Sequence, residues 1–357
     1  MSNGININIV KRTGQKEGLD IEKIHKVVEF ACEGLAGVSS SLIEMNANIQ
    51  FYDNMSTDEI QEILIKSAND LINLDAPNYQ YAAARLLLYT LHKKVYGRYE
   101  HQSLTEIIDM NIKRGVYDSN IKEKYTDTEL KKLNTYIKHD RNEEFTYAGL
   151  RQVVDKYLCQ DRSNGDIFET PQHMYMMIAA TLFAEYPKET RLSYVKKYYD
   201  ATSLFKINIP TPVMAGVRTP IRQFASCVLV DVDDTLPSIF SSNSAIGYYI
   251  AQRAGIGINS GRTRAINSKI RGGEVAHTGV VPFLKVYEST VRSCTQNGVR
   301  GGSATTHFPI WHYEIEDILV LKNNKGTEDN RVRKLDYSIQ INKVFYERLL
   351  ADKDITL

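Results

Sequence analysis

Beyond the Pro210-Thr-Pro212 punctuation the sequence alternates short apolar runs, glycine-rich turns and helical segments, and this alternation restricts the fold more than any other feature. Cys227-Val-Leu-Val230 and Ile256-Gly-Ile-Asn259 have strand length, and helical spacing appears near 236–252, 280–294 and 313–322. Parallel strands need a crossover of a dozen or more residues, usually a helix, so this spacing predicts a parallel α/β sheet or barrel.

The chain upstream reads differently. Residues 5–10, Ile-Asn-Ile-Asn-Ile-Val, alternate apolar and polar like a half-buried strand, and Lys11-Arg-Thr-Gly14 follows as a turn. Ile21, Ile24, Val27, Val28, Ala31 and Leu35 recur at helical spacing, Ser56 and Glu59 form a capping box, and a further helix is expected from Tyr79 to about Lys94. The first hundred residues therefore predict a small basic hairpin with a helix bundle, closed near Gly97. From about 98 to 205 the pattern is mostly helical.

At roughly 100–200 residues per domain, 357 residues suggest two or three domains. With 44 Lys+Arg against 43 Asp+Glu the net charge is +1, which gives no bulk reason to expect a nucleic-acid or membrane-surface protein. Cys32, Cys159, Cys227 and Cys294 lie too far apart for a zinc knuckle or disulfide scaffold, and no metal site is expected. The N-terminus lacks a signal-peptide pattern and no run approaches the ~18 apolar residues of a membrane span, so a cytoplasmic location is expected.

Between Gly255 and Gly273, Arg262, Arg264, Lys269 and Arg271 are set among glycines. Glycines let backbone amides approach an anion and Arg forks grip phosphate oxygens, so a polyphosphate ligand suits the stretch; a solvated loop is the alternative. Neither a dinucleotide fingerprint nor a P-loop occurs. A second glycine loop, Gln296-Asn-Gly-Val-Arg300-Gly-Gly-Ser303, precedes an expected strand and reads as an ordinary turn or a loop that moves with a ligand. Cys227 opens an apolar strand, as either a reactive or a structural thiol, whereas Cys32 and Cys294 look like core fillers. Lys11, Arg12, Lys16 and Lys23 form a basic face or a second anion site.

Together these segments resemble one family, the large catalytic subunit of class I ribonucleotide reductase. The resemblance rests on Val10-Lys-Arg12 with Leu19-Asp-Ile-Glu-Lys-Ile24, Ala76-Pro-Asn-Tyr-Gln-Tyr-Ala-Ala-Ala-Arg85, Phe145-Thr-Tyr147 and Pro210-Thr-Pro-Val-Met214. It continues through Arg222-Gln-Phe-Ala-Ser-Cys-Val228, Gln252-Arg-Ala-Gly-Ile-Gly-Ile-Asn259, Arg271-Gly-Gly-Glu274, His277-Thr-Gly279, Gly298-Val-Arg-Gly-Gly302 and Leu319-Val-Leu-Lys-Asn-Asn-Lys-Gly326, in family order.

The resemblance implies a mixed α/β chain: an ATP-cone of hairpin plus helices over 1–97, a helical domain over 98–220, and the first half of a ten-stranded α/β barrel over 221–357. In the cone, Lys11, Arg12, Glu17, Asp20, Lys23, Thr57 and Lys93 match positions that bind ATP or dATP. Gln61 and Thr90 replace histidines of some dATP-inhibited relatives, so strong dATP shut-off is not implied. Asp234 would hold the ribose of a specificity effector and Arg264 and Arg271 its phosphates, while Gln296 and Arg300 match side chains relaying effector identity to the substrate base. Thr211, Ser226, Cys227 and Gly255 match the ribonucleotide pocket, with Cys227 one of two reducing thiols.

The implied ligands are ATP and deoxynucleoside triphosphate effectors with Mg, and no covalent cofactor; a metal-containing small subunit would supply the radical. The implied partners are that subunit, a C-terminal half carrying the radical cysteine and second thiol, further large subunits, and thioredoxin or glutaredoxin as reductant, with neither membrane nor nucleic acid. The chain alone would be inactive. A non-catalytic ATP-cone regulator is the rival reading; it would keep the cone but would not need Thr211, Ser226-Cys227 or the second glycine loop.

Overall fold

The computed structural model describes residues 7–11, 13–294 and 301–357. The chain forms two compact units, one of Met1–Ile209 with Val213–Arg222, the other of Pro210–Pro212 with Gln223–Leu357.

The first unit opens with β1 (Asn8–Val10), antiparallel to β2 (Lys16–Gly18), and closes its small sheet with β3 (Met55–Ser56) parallel to β1. The turn between β1 and β2 is shut by Lys11 N–H donating to Gln15 O at 2.9 Å. Helix α1 (Ile21–Cys32) is capped by the Asp20 carboxylate and buries Ile24, Val28 and Ala31, three positions of one helical face. After α2 (Ser40–Asn48), helix α3 (Thr57–Asp70) starts at the expected capping box, in which Ser56 Oγ accepts from Glu59 N–H at 3.1 Å and Glu59 accepts from Ser56 N–H at 2.7 Å. Helix α4 (Tyr79–Tyr96) stops at Gly97, whose φ of +71° suits a residue without Cβ. It buries Leu86, Leu87, Leu88 and Leu91, each contributing roughly 1.5–3 kcal/mol of transfer free energy.

The rest of this unit is helical, as expected: α5 (Leu104–Lys113), α6 (Asn120–Lys124), α7 (Asp127–Tyr136), α8 (Tyr147–Lys156), a two-residue hairpin β4 (Gln160–Asp161) with β5 (Asp166–Ile167), then α9 (Pro171–Leu182) and α10 (Lys188–Ser203). Helix α9 is buried nearly all round, so its polar residues need partners: Gln172 accepts from Tyr199 OH at 2.7 Å and donates to Asn142 at 3.0 Å. Arg218 and Glu169, both fully buried, form a bidentate ion pair that Tyr117 completes.

A histidine nest, buried at His92 and His173, joins α4, α9 and the segment between α7 and α8. His101 stacks face to face on His139 with centroids 3.7 Å apart; His92 lies 4.8 Å from His101 and His173 5.1 Å from His139. His92 Nδ1 donates to Tyr99 O at 3.1 Å, and His173 Nδ1 meets Tyr96 OH at 2.9 Å. The other nitrogens, Nε2 of His92, Nδ1 of His139 and Nε2 of His173, are buried without a partner among the described residues. Stacked rings cannot turn their lone pairs to one point, and among the described residues no group of three or more His, Cys, Asp or Glu could hold a metal ion.

Helix α11 (Thr211–Gly216) lies where the chain passes between the units. In the second unit β6 (Cys227–Asp231), α12 (Leu236–Ala251), β7 (Gly255–Asn259), a small hairpin β8 (Lys269–Ile270) with β9 (Val275–Ala276), α13 (Val281–Ser293), β10 (Ala304–Pro309), α14 (Ile315–Leu319), β11 (Asp336–Gln340) and α15 (Lys343–Leu350) follow in turn. The main sheet is all parallel, in the order β11-β10-β7-β6, so successive strands lie side by side as at the start of an α/β barrel. Its core, including Ile239, Ile246 and Ile250 of α12, Ile256 and Ile258 of β7, Leu284 and Tyr287 of α13 and Phe308 of β10, covers one sheet face. The hairpin of β8 and β9 was not legible in the sequence, which gives only a glycine-rich loop there. No helix among the described residues is long and apolar enough to cross a membrane.

Candidate functional site

The hairpin, α1, α3 and α4 enclose a cavity of about 580 Å³, within the size range of small-molecule sites. Lys11, Glu17, Asp20, Lys23, Thr57 and Lys93 all line it; Arg12 lies outside the described residues. Ile9, Ile24, Val27 and Ile60 give apolar walls, and Thr13, Asp58 and Tyr89, which sequence reasoning did not single out, complete the rim. Tyr89 betrays itself only by position, one helical turn before Lys93, whose ammonium sits 4.3 Å from its ring centre.

Four of the cavity's charges are paired with one another. Lys11 Nζ lies 2.5 Å from Glu17, and Lys23 Nζ 3.4 Å from Asp20 and 4.0 Å from Glu17. Burial pushes the Asp20 carboxyl up, but its bonds from Lys23 outweigh this and hold it below its usual range. A triphosphate would take the lysines from these carboxylates, leaving acceptor oxygens for hydroxyls or a divalent cation. Gln61 also lines the cavity with a side-chain oxygen that is buried and unpartnered among the described residues; Thr90 is buried away from the lining and donates to Leu86 O at 3.1 Å.

In the second unit, Asp234 and Arg264 are brought into direct contact. Arg264 N–H donates to Asp234 Oδ1 at 3.0 Å and its Nε to Oδ2 at 2.6 Å. Arg262 bridges Asp231 at 3.0 Å and Asp233 at 2.9 Å. Arg271 stands in the turn between β8 and β9 at φ +51°, exposed. Gln296 and Arg300 lie outside the described residues. Sequence reasoning missed His312 and Glu314, buried polar residues whose only signal is polarity within Ile310-Trp-His-Tyr-Glu-Ile315.

Cys227 begins β6 with its side chain exposed, in register with Gly255 of β7, and Gly255 N–H donates to Ser226 O at 2.8 Å. A Cβ on Gly255 would lie 4.0 Å from Cys227 Sγ, so the missing side chain keeps space open beside the thiol. Thr211 opens α11.

Three family models match in succession: the ATP cone domain over residues 7–94, the all-alpha domain of ribonucleotide reductase over 143–222, and its barrel domain over 225–357. Among curated proteins, the chain is 53% identical over 352 residues to ribonucleoside-diphosphate reductase 1 subunit alpha of Escherichia coli, covering 99% of this chain and 46% of that one. It is 51% identical over 349 residues to the alpha subunit of Haemophilus influenzae and 47% over 353 residues to that of Enterobacteria phage T4, covering 98% of this chain and 46% of the relative in each case. The chain thus spans about half the length of the curated relatives it matches.

Proposed function

The chain belongs to the ribonucleotide reductase large-subunit family as its N-terminal part, and from that premise we propose that it contributes the regulatory sites and one reducing thiol to the conversion of ribonucleoside diphosphates into deoxyribonucleotides. The observation that carries this reading is Cys227 at the head of the first parallel strand, exposed beside a glycine on the next. A non-catalytic sensor would need the cone cavity but not this arrangement.

The ATP cone binds a nucleotide effector. Lys11, Lys23 and Lys93 suit the phosphates of ATP or dATP, with Glu17, Asp20 and Thr57 available to ribose hydroxyls or Mg. The specificity effector would sit at the 261–273 loop, displacing Arg264 from Asp234 so that the carboxylate accepts ribose hydroxyls and the guanidinium, with Arg271, meets phosphate. Gln296 and Arg300 would carry effector identity onward. Thr211, Ser226 and Gly255 would line the ribonucleotide, with 1–97, 98–220 and 221–357 as the functional divisions.

In the reducing step two thiols lose two electrons and two protons and become a disulfide, while the 2′ C–O bond breaks, its hydroxyl takes one proton and leaves as water, and the electron pair with the other proton forms the new 2′ C–H bond. Cys227 would be one thiol; the other, the radical cysteine and the reductant-facing tail belong to the part of the family sequence beyond the stretch matched here. The radical itself is supplied by a metal-containing small subunit, and thioredoxin or glutaredoxin would reopen the disulfide. Large-subunit self-association belongs to the same reading. The test is deoxyribonucleotide formation by the complete enzyme, large subunit plus small subunit: multiple turnover is expected with Cys227 and is lost with Cys227→Ser, since a hydroxyl cannot form the disulfide. Sustained turnover by the variant would refute it.

A further inference from the structure

The Arg264 segment is held from beneath by two residues that no effector would touch. Glu314 is 6% exposed and its carboxylate accepts Ile266 N–H at 2.8 Å and Val280 N–H at 3.1 and 3.3 Å. The first bond fixes the chain two residues after Arg264; the second fixes the N-terminal turn of α13, where the loop ends. His312, 7% exposed, donates from Nε2 to Thr263 O at 2.9 Å and accepts Glu314 N–H at Nδ1 at 3.1 Å, which settles the nitrogen carrying the proton. Arg264 N–H is itself taken by Asp234. Residues 263, 264 and 266 are thus each tied by a side chain from elsewhere in the fold.

The space for this clamp is built in. Gly279 has φ +88°, and a Cβ there would stand 2.6 Å from Glu314 Oε1. The carboxylate fills the place a side chain would occupy, which accounts for the glycine of His277-Thr-Gly279.

We propose that Glu314, with His312, is a specificity-determining positioning pair: it fixes the backbone on which Arg264 meets the effector triphosphate, and so sets how much effector is needed to change substrate preference. This rests on the effector reading of the 261–273 loop. A buried carboxylate taking two backbone amides, one of them shared between both its oxygens, is a stiff support, because loss of one acceptor leaves a buried N–H unsatisfied and the loop must shift to repair it.

The test measures, in the complete enzyme, the deoxynucleoside triphosphate concentration giving half of the change in substrate preference, together with unstimulated turnover. Glu314→Gln keeps the shape but replaces one acceptor by a donor, and is expected to raise the effector midpoint about tenfold, the size of one charge-assisted bond, at near-normal unstimulated turnover. His312→Gln should move the midpoint in the same direction and serves if Glu314→Gln folds poorly. Because the pair acts through Arg264, adding Glu314→Gln to Arg264→Ala should shift the midpoint no further than Arg264→Ala alone. An unmoved midpoint in both clamp variants, with Arg264→Ala shifted, overturns the clamp and spares the effector reading. Turnover lost with the midpoint unmoved makes the pair merely structural and overturns it too. No shift in Arg264→Ala overturns the effector reading, and the clamp's role with it.

Discussion

Lowering the pH should destabilise this protein well before its carboxylates titrate, because of the histidine nest. Burial, reinforced by neighbouring imidazoles, holds His139 down to about 2 and His92 to about 4, and burial holds His173 to about 3. In the unfolded chain each titrates near 6.5. Between these values the unfolded chain takes up protons that the folded one refuses, so stability is complete above about pH 7.5 and falls as pH falls through 6.5. At pH 5 each refused proton costs about 2 kcal/mol, or about 6 kcal/mol for the three, comparable with the whole stability of an ordinary domain. Carboxylates do not confuse the window: Glu59, held to about 2 by its bonds from Tyr52 and Ser56, is lost only below about 4.5. His25 works oppositely, since its bond to Glu44 raises it and favours the fold at low pH, so His25→Gln is the cleaner background. Urea and thermal unfolding at pH 7.5, 6 and 5 should show a loss of several kcal/mol, with His139→Phe reducing the pH 7.5-to-5 difference by about 2 kcal/mol while keeping a ring on His101. Equal stability at pH 7.5 and 5, or an unchanged difference in His139→Phe, would refute the reasoning.

Four further outcomes are expected. Arg264→Ala should raise the effector concentration needed to switch substrate preference by one to two decades, roughly 1.5–3 kcal/mol, as read from product ratios at rising effector. Lys23→Met should weaken ATP binding at the cone by about a decade by calorimetry while leaving that switch in place. Cys227→Ser should bind effectors normally in titrations yet stop sustained reduction. Gly302→Ala should cost about 1–3 kcal/mol in urea unfolding, because its Cβ would run into the Val291 backbone carbonyl oxygen, whereas Gly257→Ala meets the tip of the exposed Leu229 side chain and should cost less.

The fold was legible wherever a local signal coincides with the tertiary one. The Ser56–Glu59 box, the Gly97 stop and the β6–α12–β7 alternation are periodic or capping features that burial merely reinforces. Of the cavity residues, Lys11 and Lys23 stood out as a basic face, but Glu17, Asp20, Thr57 and Lys93 were named only through the resemblance, since nothing in their spacing says that four elements converge on them. The Asp234–Arg264 ion pair was not foreseen: two groups assigned to one ligand also complement each other, and sequence carries no distance over thirty positions. Glu314 and the histidine nest escaped for a related reason. A polar residue amid apolar neighbours looks like surface until the backbone amides and rings that surround it are known.

Helix α4 belongs to two places at once. Lys93 lines the cone cavity, and His92, the residue before it, packs into the histidine nest. Both lie on one uninterrupted ladder of backbone bonds running from Tyr79 to Tyr96. Amides of such a helix open to solvent exchange as a cooperative block. A nucleotide held in the cavity is therefore expected to slow deuterium uptake at Leu91 and Tyr96 as well as at its own contacts, because a ligand that binds only the closed helix makes opening of the whole block rarer.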